Sequence, residues 1–100
     1  MVKDFQGQGK GTISFPRAGI SIAIDMPVRP DETPAIVSAL NDVVASDGGC
    51  VYLAKDAFTR AEHFRRMEPR LARWMEVRKQ WDPELRFRSA QSVRVFGDPE

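Results

Sequence analysis

Gly19-Ile20-Ser21-Ile22-Ala23-Ile24-Asp25-Met26-Pro27 is the stretch that decides the fold. Ile20, Ile22, Ile24 and Met26 alternate with Ser21, Ala23 and Asp25. A period of two predicts a strand over 20–28, with one apolar face that packs on something. The other face is small and polar. Wet faces of surface strands usually carry long charged or β-branched side chains. Small residues leave room for close approach, so solvent and a ligand cavity both remain open.

Towards the C-terminus the chain passes a proline-punctuated loop. Thr33 is placed to cap a helix, with Pro34 at its first position. Ile36, Val37, Leu40, Val43 and Val44 recur at helical spacing and predict one buried stripe. Gly48 and Gly49 stop that helix, and Cys50 to Ala54 reads as a short strand. Towards the N-terminus, Gln6 to Gly11 alternates glycine with polar residues. Such spacing cradles phosphate only between a strand and a helix N-terminus. Thr12 to Phe15 reads as a strand instead, so a flexible loop is expected. The first half is therefore α+β, a small antiparallel or mixed sheet of two to three strands with one helix packed on its isoleucine face.

The C-terminal half reads as helical. Thr59 and Glu62 form a capping-box pattern that opens a helix to about Met67. Pro69 starts the next, with Leu71, Trp74, Met75 and Trp81 on its apolar side, and Asp82-Pro83 ends it. Ser89 is placed to cap a last short turn.

With 100 residues, 42% hydrophobic and 29% charged, the chain is a soluble-type sequence able to bury a modest core. Its net charge of +1 supplies no overall field that recruits nucleic acid or anionic lipid. Residues 60–94 are locally basic, but no recognition motif accompanies them, and no nucleic-acid partner is expected. One cysteine, Cys50, excludes an internal disulfide and fits a reducing compartment. No apolar run approaches the roughly 20 residues that span a bilayer. The polar N-terminus lacks a signal-peptide pattern. A cytoplasmic location is expected, with membrane association left open.

Few residues can carry chemistry. His63 lies among charged residues and is expected at the surface. No second His or Cys stands at ligand spacing, so no metal site is expected. Cys50 reads as an inert core thiol. Two segments stand apart. Tyr52-Leu53-Ala54-Lys55-Asp56 is a strand ending in a lysine, which by pattern alone reaches solvent, and Lys3-Asp4-Phe5 precedes the glycine loop.

Gly19 to Pro27, Gly48 to Asp56, Arg78-Lys79, Asp82-Pro83 and Phe87-Arg88-Ser89 together resemble the C-terminal end of FAD-linked oxidases of the vanillyl-alcohol oxidase type. Within that family the decaprenylphosphoryl-ribose oxidase branch comes nearest, with aldonolactone oxidases as cousins. The resemblance implies a fragment of a larger two-domain flavoenzyme. Residues 1–51 would end its substrate domain, and residues 52–100 would return to its FAD domain. Lys55 matches a catalytic lysine beside flavin and substrate, and Tyr52 a flavin-contacting tyrosine. Lys3, Phe5, Ser21 and Ala23 match substrate-pocket positions. The branch has an amide at Ser21 and a cysteine at Ala23, so this pocket would hydrogen-bond its substrate differently.

The resemblance also implies oxidation of a sugar or sugar-lactone hydroxyl, with FAD held by the parent rather than by this chain alone. The implied partners are the remainder of the parent enzyme and a small sugar-like substrate. Apolar surface left bare near Tyr52, Trp74 and Trp81 would promote self-association. The alternative reading is a stand-alone small α+β interaction module without catalytic activity.

Overall fold

The alternation at 19–27 does produce a strand, but a shorter one. The computed structural model describes residues 1–100. Strand β1, Val2–Phe5, pairs antiparallel with β2, Gly19–Ile22, in a two-stranded sheet. The register sets Val2 against Ile22, Lys3 against Ser21, Asp4 against Ile20 and Phe5 against Gly19. Residues 23–28 have no partner strand beyond the Met1–Ala23 pair, so regular pairing ends there.

Four helices follow: α1 Thr33–Ser46, α2 Ala61–Met67, α3 Leu71–Trp81 and α4 Ala90–Phe96. A 3-10 turn, Leu53–Lys55, lies between α1 and α2. The class is α+β with a helical C-terminal half, as expected.

Two expected strands are absent. Thr12 to Phe15 is a turn, because Ser14 accepts the Gly11 N–H on Oγ at 2.7 Å and donates its own N–H to the Gly11 carbonyl at 3.1 Å. Glycine is needed here for space. A Cβ on Gly9 or Gly11 would come within 2.5 or 2.6 Å of the Ser14 side chain. Cys50 to Ala54 finds no strand to pair with and winds into the 3-10 turn instead.

The expected caps divide. Ser89 caps α4 and forms a reciprocal box with Ser92. Thr33 does not cap α1. Its Oγ1 accepts from the Arg29 N–H and donates to the Pro27 carbonyl, which pins the preceding loop. Thr59 does not cap α2 either, because Asp56 engages its hydroxyl, and Glu62 pairs with Arg60.

The helix α1 does not cover the sheet's isoleucine face. It leans on α2 through Asn41, which donates to Thr59 at 3.0 Å, and Asp42, which meets Arg66 at 2.8 Å. Its Ile36, Leu40 and Val43 stay exposed. The core sits instead among α2, α3 and α4, where Phe64, Leu71 and Val95 pack with Val51, Leu53, Trp74, Met75 and Phe96. Trp74 lies 4.5 Å from Phe96, and Arg78 stacks over both rings. Trp74 is thus half-buried, whereas Trp81 is fully on the surface. Only four apolar residues are buried outright. With so small a core, polar clamps must carry much of the tertiary organisation.

Candidate functional site

Residues paired across a sheet point to the same face. Lys3, Phe5 and Ser21 therefore share one face of the ribbon, and Ala23, bonded to Met1, extends it. That face leads into a short aromatic ladder. Phe5 meets Phe15 edge-on at 5.9 Å, and Phe15 lies tilted against Tyr52 at 5.0 Å. Beside the ladder is a mostly apolar cavity of about 310 Å³, lined by Ile13, Phe15, Cys50, Tyr52, Leu53, Phe64 and Glu68 among others. Five of the six candidate residues thus gather on one connected surface.

Lys55, the sixth, ends the 3-10 turn that Tyr52 opens. It is exposed, with no ion pair and no hydrogen bond joining it to the ribbon residues. The turn itself is held firmly. Gln91 of α4 donates to the Leu53 carbonyl at 2.6 Å, and the Lys55 N–H closes on the Tyr52 carbonyl at 3.0 Å. The next residue, Asp56, accepts the Thr59 N–H at 3.0 Å and the Thr59 hydroxyl at 2.5 Å on one oxygen. Its other oxygen accepts from Arg94 of α4 at 2.7 Å. Arg94 also donates to the Thr59 carbonyl, and Asn41 of α1 donates to the Thr59 hydroxyl. The residue after Lys55 is thus bound by α4 directly and linked to α1 through Thr59. Burial pushes the Asp56 carboxyl up, but the hydrogen bonds from Thr59 and Arg94 outweigh it and hold it below its ordinary range.

Sequence reading missed this clamp. The Asp56-x-x-Thr59 spacing was the available signal, since Asp side chains bond backbone N–H groups just ahead of them. Nothing local announces Arg94. Phe15, which bridges the two candidate segments, was also missed. His63 corrects another expectation. It is buried against α1, with Nε2 3.2 Å from Asp42 Oδ1. Burial pushes the Cys50 thiol up, which suits an unreactive sulfur.

A second clamp fixes the loop side of the site. Glu68 accepts from Arg70 at 2.7 Å, and Arg70 donates to the Ser14 carbonyl at 2.8 Å, which ties the turn beneath Phe15 to the α2–α3 junction. Burial raises the Glu68 carboxyl, but its bonds to Arg70 leave it lowered overall. Asp98 is held down by its hydrogen bond from Arg78, and Asp82 by the backbone N–H groups of Phe87 and Arg86.

Carboxyls depressed in the folded state add stability above their unfolded values, near 4, and lose it as pH falls through the folded ones. The unfolding temperature should therefore be flat from pH 7 to 5 and drop steeply below about pH 4. Thermal melts across that range check this, and a melt unchanged down to pH 3 would contradict the clamps.

No helix is long and apolar enough to cross a membrane. No family model matches the chain. Over 93 residues, 93% of the chain, it is 33% identical to decaprenylphosphoryl-beta-D-ribose oxidase of Mycolicibacterium smegmatis. Over 95 residues it is 34% identical to a Streptomyces coelicolor protein described as an uncharacterized protein in the mprA 5' region. The chain spans 20% of the first relative's length and 26% of the second's. Nearly all of it is therefore similar to one stretch of a much longer oxidase, the class of enzyme that its ribbon and lysine motifs resemble.

Proposed function

We propose that this chain completes the active site of an FAD-linked oxidoreductase that oxidises a sugar or sugar-lactone hydroxyl, and that it is inactive alone. Residues 1–51 close the substrate domain, and residues 52–100 return to the flavin domain. The observation that carries the reading is the shared surface. One ribbon face presents Lys3, Phe5, Ser21 and Ala23, and Phe15 links it to Tyr52, one turn before an unpaired Lys55.

These residues fit the ring end of a flavin. Tyr52 and the apolar cavity suit a flat ring, and Lys55 offers a free ammonium. They do not fit its pyrophosphate, because the Gly7–Gly11 loop runs into a turn rather than a helix. The phosphates belong with the remainder of the enzyme. Bound FAD would supply the hydride acceptor and gain negative charge at its N1–C2=O edge.

Lys55, carried on the turn that the Asp56 clamp holds, would bring a cation to the edge where that charge develops. Lys3 donates hydrogen bonds to substrate hydroxyls, and Phe5 packs on the apolar face of a sugar ring. Ser21 offers a small hydroxyl, and Ala23 leaves space beside it.

The test is the complete polypeptide of this reading frame. It should purify with bound flavin, and anaerobic addition of an aldose or sugar lactone should bleach the flavin absorbance. A complete protein free of flavin, with no affinity for added FAD, would defeat the reading.

A further inference from the structure

We infer that Arg70 is a positioning residue: by holding the Ser14 carbonyl, it sets Phe15 as the spacer between Phe5 on the substrate side and Tyr52 on the flavin side. The two sides carry the roles proposed above, and the inference rests on that reading.

Residues 1–26 and residues 33–100 are joined by one hydrogen bond, from Arg70 Nη2 to the Ser14 carbonyl at 2.8 Å. An ion pair also crosses between them, with Arg17 Nη2 3.8 Å from Glu68, but that nitrogen makes no hydrogen bond. The ribbon and its loop therefore depend on Arg70 for a directional tie to the helical half.

The guanidinium is committed on both sides. Glu68 Oε1 accepts from the Arg70 N–H at 3.0 Å and from Nε at 2.7 Å, and Oε2 accepts from Nη2 at 2.7 Å. The Glu68 side chain is only 3% exposed. One hydrogen of Nη2 thus goes to Glu68, and the other is aimed at Ser14. A planar fork with fixed angles makes both bonds at once, whereas an ammonium on a flexible stem satisfies the charge without fixing the second bond. Glu68 ends α2 and Arg70 opens α3, so two helices anchor the backbone that carries the fork.

Ser14 passes this constraint to Phe15. Phe15 precedes Pro16, which disfavours helical backbone at that position. The Gly9 N–H closes the loop on the Pro16 carbonyl at 2.8 Å. The Phe15 ring then stands edge-on to Phe5 at 5.9 Å and tilted against Tyr52 at 5.0 Å. No other ring packs on Tyr52, which is 47% exposed. Phe15 therefore keeps the two candidate segments at one spacing. Transfer between two bound groups is steep in their separation, and a misplacement of about 1 Å can cost about 10²-fold in rate.

Flavin reduction in the complete polypeptide tests this. Phe15→Leu and Arg70→Lys should each lower the anaerobic reduction rate at saturating substrate by roughly 10–10²-fold, at equal flavin content. Half-saturation should hardly move, because the lost spacing affects the transfer rather than the binding. The double variant should be no slower than the slower single variant, because Arg70 acts through Phe15. Losses that multiply in the double variant would overturn the inference, and so would an unchanged rate in Arg70→Lys. Tyr52, the one tyrosine of the chain, gives a second readout. With 3-fluorotyrosine incorporated, the 100-residue chain carries a single fluorine resonance, shifted by the Phe15 ring. Phe15→Leu and Arg70→Lys should both move it in the same direction, whereas Glu76→Ala, at an exposed site on α3, should not. A resonance unmoved by Arg70→Lys, in a chain with wild-type circular dichroism, would also overturn the inference. A complete polypeptide without flavin would defeat the proposed function and the rate effect with it, while the fluorine resonance still decides whether Arg70 sets the ring.

Discussion

Asp56→Ala should lower the unfolding temperature of the chain by roughly 15 °C. Asp56 is the hub of a polar cluster, and its carboxylate ties α4 to the segment before α2 through Arg94. Thr59 beside it is fully buried, and Asn41 reaches it from α1. Removing the carboxylate takes the charged partner from the half-buried Arg94 guanidinium, which keeps only the Thr59 and Asp56 carbonyls, and takes the acceptor from the Thr59 N–H. Breaking a buried pair from one side costs about 3 kcal/mol or more, because the surviving charge is left uncompensated. For a domain of this size each kcal/mol moves the midpoint by about 4–8 °C. The small apolar core gives little reserve. Glu76→Ala, which removes an exposed partner of Arg73, should shift the midpoint by only a degree or two. Melts followed by circular dichroism separate the two. Equal shifts would mean that the clamp is ornamental.

The parts of the fold legible in the sequence were those set by short-range rules. Alternation marked β2, periodicity marked α1 and α3, and Ser89 marked the start of α4. The errors have two causes: side chains that take hydrogen bonds from the expected pattern, and neighbours that the rest of the fold supplies or withholds. Ser14 turned an expected strand into a turn by capturing Gly11. Thr59 was expected to cap α2, but Asp56 takes its hydroxyl. Cys50 to Ala54 has a strand-like composition but no neighbour to pair with. His63, flanked by charges along the chain, is buried because α1 folds over it.

The candidate site shows the same division. Lys3, Phe5, Ser21, Ala23, Tyr52 and Lys55 were named from the family resemblance. Phe15, Gln91 and Arg94 complete the arrangement only through contacts at long sequence separation.

The second large effect concerns Lys55 in the complete polypeptide, read as the flavoprotein proposed above. Lys55→Met keeps the length of the side chain and removes its charge. The turn should survive, because Gln91, Asp56 and the Tyr52 carbonyl hold it through the backbone and through neighbouring side chains. Flavin content should therefore be unchanged. A preorganised charge at a developing anion contributes about 10²–10³ in rate. The loss should fall on the reduction step rather than on substrate affinity, since the charge to be stabilised appears only as hydride moves. Lys55→Arg, which restores a cation with different geometry, should recover part of the rate.

The most direct measurement is the anaerobic reduction of flavin in the complete protein, wild type against Lys55→Met, mixed with the same saturating substrate. The expected result is a reduction rate lower by about 10²–10³-fold at equal flavin content. Equal rates in the two proteins would contradict a catalytic cation on this turn.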